Sequence, residues 1–389
     1  MSKNGSTKWD AKRAMQEKGS ILHPMGGCDL DTLLEHFRLN SNFSRRSLTQ
    51  RITSVVGVAL RHPFTVAERL NWSDKVRAYD LPHDPIFIVG HWRSGTTHLH
   101  NLLSRDPQFA FLDFGQTAMP HNLLNESRKY GRWLIAKVLP KKRGYDNVEL
   151  TIDSPQEEEM ALGSLNALGY YSVYYFPQDI KRHFERTVFF KDVTPAAQER
   201  FKQAYVTLMK KLSMASGGKQ LLLKNPPSTA RLTLLKELFP KARFIYIHRN
   251  PYEVWASSLN RYYRLMSTFA WQDFEDVDFE EMVYYKYQRL IGAYIEQQAQ
   301  LPPEDIIETS YEAITETPME ELTRIYDELR IPNKEAGLKA ISPYVESKKN
   351  YKRNVHQMER AQVERIQKDW AFSLERWPYE IPEAIEVVD

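Results

Sequence analysis

An unbroken apolar run, "IFIV" (86–89), passes directly into "GHWRSGTT" (90–97) and then into "HLHNLLS" (98–104). No polar residue alternates with the apolar ones, as expected for a parallel strand covered on both faces. The segment after the glycine-bearing turn has helical spacing. A strand, a tight turn and a helix start in this order aim backbone N–H groups and the positive end of a helix dipole at one point, and an anion binds there.

The same alternation recurs further along. "KQLLLK" (219–224) reads as a strand, "TARLTLLKELF" (229–239) as a helix, "RFIYIHR" (243–249) as a strand and "PYEVWASSLNRYYRL" (251–265) as a helix, with Pro251 at a first-turn position where its missing N–H costs nothing. Strands alternating with helices predict an α/β fold with a doubly wound parallel sheet flanked by helices. Ligands bind such sheets at the carboxyl ends of the strands, so "GHWRSGTT", "KNPPS" and "HRNP" are expected to converge on one crevice. Residues 1–80 read as a helical N-terminal extension packed on the core, and 81–389 as the α/β domain. Within it, about 110–215 reads as an insertion forming an acceptor pocket, and about 345–372 as a C-terminal lid and helix.

The loop has the G-x-x-x-x-G frame of a P-loop, yet Thr96 stands where a nucleotide kinase carries lysine. No buried strand ends in an aspartate able to hold magnesium, because "FIYIHR" ends in His248 and Arg249. A cation is nevertheless present inside the loop, Arg93. That combination suits an anionic donor that brings its own leaving group and needs no metal.

Charge narrows the partners. Fifty-three Lys and Arg against 50 acidic residues leave a net charge of +3, too small to argue for nucleic acid. One cysteine, Cys28, makes no internal disulfide, which suits a reducing, cytoplasmic setting. No stretch approaches eighteen uninterrupted apolar residues. Two segments, 46–64 and 129–144, mix apolar and basic residues at helical spacing; peripheral contact with a membrane surface is one reading of them and packing on their own domain is the other. Nothing in the chain specifies an oligomer.

Two motifs, in order and in matching secondary structure, resemble those of the PAPS-dependent sulfotransferases. "RSGTT" (93–97) resembles their 5′-phosphosulfate loop, and "HRNPYEVWASS" (248–258) their 3′-phosphate motif, an Arg at a strand end followed eight residues later by Ser: here Arg249 and Ser257. The pattern "LLLKNPP…LLKELFPKARFIYIHRNP" is closer to the large bacterial branch of that superfamily than to the animal cytosolic one. The resemblance implies 3′-phosphoadenosine-5′-phosphosulfate (PAPS) as donor, 3′,5′-adenosine bisphosphate (PAP) as product and no metal. It assigns Arg93 and the amides of Ser94, Gly95, Thr96 and Thr97 to the 5′ end, and Lys224 to the sulfuryl group in flight. Lys352 and Arg353, in "ESKKNYKRNVHQM" (346–358), correspond to the basic lid over the 3′-phosphate, although the lid's G-x-x-G is missing.

The cytosolic relatives use a His two residues after the lysine as general base; this chain has Pro226 there. The search for a base therefore moves to "DSPQEEEMALGSLNAL" (153–168). Ser154 and Glu157 have capping-box spacing, which makes Glu157 structural. Glu158 falls on the face of Ala161, Leu162 and Leu165 and is the favoured base, raised in basicity by desolvation. Glu157, His98 and His248 stay as alternatives. The aromatic stretch "NALGYYSVYYFP" (166–177) suits a small hydroxylated acceptor, a sterol or lipid before a sugar. Two other functions remain open: a P-loop kinase-like phosphotransferase, and a non-catalytic nucleotide-binding protein acting at a membrane surface.

Overall fold

A computed structural model describes residues 11–16, 23–139, 150–348 and 356–389. Its centre is a parallel sheet of β1 (Ile86–Val89), β2 (Phe109–Ala110), β3 (Gln220–Lys224), β4 (Arg243–His248) and β5 (Ile306–Ser310), in the order β2-β3-β1-β4-β5. The doubly wound arrangement expected from the apolar runs is present. β1 lies centrally because all four of its residues are buried, with Ile86 and Ile88 facing one apolar cluster and Phe87 and Val89 the other. Neighbouring strands repeat the division, Leu222, Ile245 and Ile247 on the first side, Leu221, Leu223, Phe244 and Tyr246 on the second.

Two strands of this sheet escape the sequence reading. β2 has only two residues, and β5 alternates half-buried with buried positions as an edge strand does. The helix expected over 229–239 is also shorter: a 3-10 turn at Pro226–Ala230 and the buried Arg231 precede the helix Leu232–Leu238. At the carboxyl end, the helix of the lid-and-helix region expected at about 345–372 begins at Arg360, because His356–Glu359 forms a strand, β6, paired parallel with Ile385–Val388, β7.

Ahead of the sheet, a helix Leu48–Ala78 is bound to the rest of the chain on one face only. Arg61 donates to the carbonyls of Gly26 and Ala118 at 3.0 and 2.8 Å, Glu68 accepts from the Leu124 amide at 2.8 Å and from Lys211 at 2.6 Å, and Trp72 donates to Asn125 at 3.2 Å. Among the described residues no helix is long and apolar enough to cross a membrane.

Candidate functional site: one crevice at three strand ends

β3 and β4 flank β1, with Ile88 beside Lys224 and Val89 beside Tyr246, so the loop after β1, Lys224 and Arg249 open onto the same edge of the sheet. The convergence expected of "GHWRSGTT", "KNPPS" and "HRNP" is therefore observed.

The loop is shaped by backbone rather than by side chains. Gly90 has φ +148°, Arg93 +73° and Gly95 +98°. A Cβ at Gly90 would collide with the Ile247 carbonyl, and one at Gly95 would lie 2.5 Å from the Tyr311 ring, so both positions demand glycine for space as well as for dihedral. Arg93 is not glycine, and a left-handed conformation there is the kind of strain that binding loops hold. Ser94 ties the turn, its amide and hydroxyl both donating to the His91 carbonyl at 3.1 and 2.7 Å. The Gly90 amide donates to the Thr229 hydroxyl at 2.7 Å, linking the loop to the turn after β3. The helix Thr96–Leu103 starts from Gly95 without a side-chain cap, leaving its first amides facing the crevice edge.

Arg249 lies across the other side. Its guanidinium donates to the Arg93 carbonyl at 3.2 Å, grips both oxygens of Glu253 at 2.9 and 3.1 Å, and stands 4.1 Å from the centre of the Tyr311 ring. Ser257, one turn beyond Glu253, donates to the Glu253 and Val254 carbonyls. His248 stacks on Trp377 and bonds Tyr379, and burial lowers its pKa to about 4, so it is a neutral packing residue in this arrangement. His98 is likewise shifted down by burial. Trp92 is buried against Tyr170, ring centres 4.8 Å apart, and fills the core. Lys352 and Arg353 lie outside the described residues.

The two carboxylates part company at the helix start. The helix begins at Glu158, not three residues earlier, and the Ser154 hydroxyl accepts from the Thr151 amide instead of closing a capping box. Glu157 is thereby released from the structural role its spacing implied. Its carboxylate takes the Lys224 ammonium at 2.7 Å, with 17% of the Glu157 side chain exposed and only 1% of Lys224. Glu158 points inward as its apolar face required. It is fully buried, accepts from the Tyr205 hydroxyl at 2.9 Å through one oxygen, and has no partner on the other. Desolvation raises its pKa to about 7, against the smaller pull of its hydrogen bonds.

Glu159 holds the arrangement from behind. It accepts from the Tyr170 amide, from Asn225 at 2.6 Å and from Arg231 at 3.1 Å, and Arg231 also donates to the Thr187 carbonyl. Asn225 follows Lys224, so this buried network clamps the Glu157 helix to the end of β3.

Two cations beside the crevice had no place in the sequence reading. Lys286 is 1% exposed, 3.4 Å from the Tyr170 hydroxyl and 4.0 and 4.5 Å from the Trp92 and Tyr262 ring centres; burial first, then Arg261, lowers its pKa well below the usual value, while Glu157 opposes the shift. Arg261 donates to the Tyr174 hydroxyl at 2.8 Å. The signal was available: Met282, Val283, Tyr287 and Leu290 form the buried stripe of the helix Phe279–Gln298, and Lys286 sits in it. Among the described residues no group of three or more His, Cys, Asp or Glu is placed to hold a metal ion.

A family model described as "Sulfotransferase family" matches residues 85–335. The omega-hydroxy-beta-dihydromenaquinone-9 sulfotransferase Stf3 of Mycobacterium bovis is 28% identical over 315 residues, 80% of this chain and 80% of that one, and the Mycobacterium tuberculosis protein of the same name matches equally. Among solved structures, sulfotransferase STF9 from Mycobacterium avium aligns over 95% of both chains with a TM-score of 0.72 at 18% identity. STF1 from Mycobacterium tuberculosis aligns over 88% of this chain and 91% of its own with a TM-score of 0.62 at 14% identity. At those identities the two structures speak for the fold alone.

Proposed function

The chain belongs to the sulfotransferase family, and from that membership we propose that it moves the sulfuryl group of PAPS onto the hydroxyl of a hydrophobic alcohol, a lipid before a sterol or a sugar. The single observation that carries the reading is the convergence at adjacent strand ends of an uncapped helix start, Lys224 and Arg249, with a carboxylate 2.7 Å from the lysine. A P-loop kinase does not fit that set, which lacks both the loop lysine and a magnesium carboxylate.

The loop fits the 5′ end of the donor. Amides of Ser94 to Thr97 would bind its oxygens and Arg93 would meet the charge left on the departing phosphate. Arg249 and Ser257 would take the 3′-phosphate; Arg249 would then exchange part of its contact with Glu253 for the phosphate. Lys352 and Arg353 keep their proposed role as a cover over the same phosphate.

Glu157 is the better general base. It faces the crevice beside Lys224, where an acceptor hydroxyl would lie. In the transfer the acceptor oxygen bonds to sulfur, its proton passes to Glu157, and the sulfur–oxygen bond to the phosphate breaks with its electron pair on the phosphate. Lys224, released from Glu157 as the carboxylate is protonated, neutralises that oxygen. Glu158 is the second reading, favoured by its pKa of about 7 and its unpartnered oxygen, but its carboxyl is shut off from the crevice.

For the acceptor, the support is the buried aromatic wall of Tyr170, Tyr174 and Tyr262, whose Tyr174 feels the charge of Glu157, together with a relative whose name states omega-hydroxy-beta-dihydromenaquinone-9. The region 110–215 supplies much of that wall, and a peripheral contact with a membrane belongs to the same reading because a lipid acceptor is drawn from a bilayer.

Calorimetric titration with 3′,5′-adenosine bisphosphate and with ADP plus magnesium tests the donor site. Selective binding of the bisphosphate, weakened roughly 30-fold in Arg249→Ala, is the expected result. Preference for ADP with magnesium, or no nucleotide binding, would overturn it.

A further inference from the structure

The helix Leu48–Ala78 has an outward face that stays exposed among the described residues. Over its first five turns the exposed positions are Leu48, Ile52, Val55, Val56, Leu60 and Phe64, joined by Thr49, Ala59, His62 and Pro63. No acidic residue is among them. Leu60 is 70% exposed and Leu70, further along, 80%. Apolar exposure on this scale is unusual for a surface that meets only water.

A second helix repeats the pattern. Arg128–Val138 exposes Tyr130, Trp133 and Leu134, with Lys137 folded over the Trp133 ring at 3.6 Å. Of the cations in the two helices Arg69, Lys75, Arg77, Lys129 and Lys137 are exposed, against Asp74 as the exposed acid, while Arg51 and Arg61 turn inward to backbone carbonyls. Both helices hang on one stretch of chain. Arg61, Glu68 and Trp72 hold Ala118, Leu124 and Asn125, and the second helix starts three residues after Asn125. Arg132 then pairs with Asp113 and Asp153, four residues ahead of Glu157. The apolar faces are thus mechanically continuous with the segment that ends at the proposed base.

We infer that these two helices dock the protein on the surface of an anionic lipid bilayer. Apolar side chains flanked by Lys and Arg, with Trp and Tyr at the boundary, match an interface whose headgroups are negative and whose acyl layer begins a few ångströms below. A second copy of the chain would leave the cations facing one another. Docking does not depend on the chemistry read at the crevice; delivery of a lipid hydroxyl to Glu157 does.

The test is co-sedimentation of the full chain with phosphatidylglycerol–phosphatidylcholine vesicles and with phosphatidylcholine alone, at low and high salt. The expected result is binding to the anionic vesicles at least about tenfold tighter than to neutral ones, weakened by salt. The double variant Leu60→Glu with Trp133→Glu should lose that binding while keeping its affinity for 3′,5′-adenosine bisphosphate, which certifies its fold. Arg249→Ala should bind vesicles as the wild type does. Absence of vesicle binding would overturn the inference, and so would a solution dimer, seen by light scattering, that the same double variant dissociates. Vesicle binding by a protein that binds no bisphosphate would sustain docking and sink the proposed reaction.

Discussion

The loop end of the crevice and the carboxylate end solve their positioning problems differently. Around Gly90 to Thr97 most contacts run from backbone or short hydroxyls to backbone, joined by the His91 ring on the Trp92 carbonyl and the Arg249 guanidinium on the Arg93 carbonyl, and geometry comes from three left-handed dihedrals and two glycines with no room for a side chain. Around Glu157 to Glu159 it comes from buried charge: a carboxylate on Lys224, a carboxyl on Tyr205, and a carboxylate on Asn225 and Arg231. Backbone cradles tolerate any ligand with the right oxygens, whereas buried side-chain charge is fixed in place and cannot be reassigned. The difference teaches where single substitutions should hurt chemistry and where they should hurt affinity.

The sharpest break is between two neighbouring glutamates. Glu157→Gln is expected to lower kcat by about 10²–10⁴-fold with the affinity for 3′,5′-adenosine bisphosphate unchanged, while Glu158→Gln stays within about tenfold of wild type. Steady-state kinetics on the two variants separates the roles, and the reverse ranking would return the base to Glu158.

Glu158 has a second signature, in stability. Its pKa is raised by burial from 4.5 to about 7, so the folded state holds a proton that the unfolded state releases. That contribution is fully present below pH 4.5 and is lost as pH rises towards 7, on the order of 3 kcal/mol in all. Thermal unfolding between pH 4 and pH 8 should show this slope in the wild type and a flatter curve in Glu158→Gln. Equal slopes would mean the carboxyl is not held protonated.

At the loop end the effects should fall on binding. Arg249→Ala removes a charged donor and is expected to weaken 3′,5′-adenosine bisphosphate by about 2 kcal/mol, roughly 30-fold, by calorimetry. Ser257→Ala removes a neutral hydroxyl and should cost about 1 kcal/mol in the same titration. A larger loss for Ser257 than for Arg249 would mean that Glu253 keeps the guanidinium from the phosphate.

The same contrast governs what could be read from the residues alone. β1, β3 and β4 were legible because a central parallel strand is apolar on both faces, and the loop was legible because glycine spacing and a following helix form a local pattern. The edge strand β5 carries Glu308 and Thr309 among its apolar residues, and β2 is too short to leave a pattern. The carboxylate end was harder. Ser154 and Glu157 have the spacing of a cap, but tertiary pairing with a lysine 67 residues away wins over a local bond worth about 1 kcal/mol. Glu158 was correctly sent inward by its apolar face; that its carboxyl meets Tyr205 rather than the crevice depends on a helix far along the chain. Lys286 and Arg261 acquire meaning only when Trp92, Tyr170 and Tyr174 surround them.

Glu159 and Arg231 bear on the history of such chains as well as on their shape. Both are fully enclosed, so losing either alone strands its partner's charge at a cost of about 3–5 kcal/mol, a large share of the roughly 5–15 kcal/mol that keeps a protein folded. A lineage cannot pass through either single change cheaply; the two positions must be replaced together or kept. The helix that presents Glu157 and the turn that follows Lys224 are therefore bound to change, or to stay, as one piece.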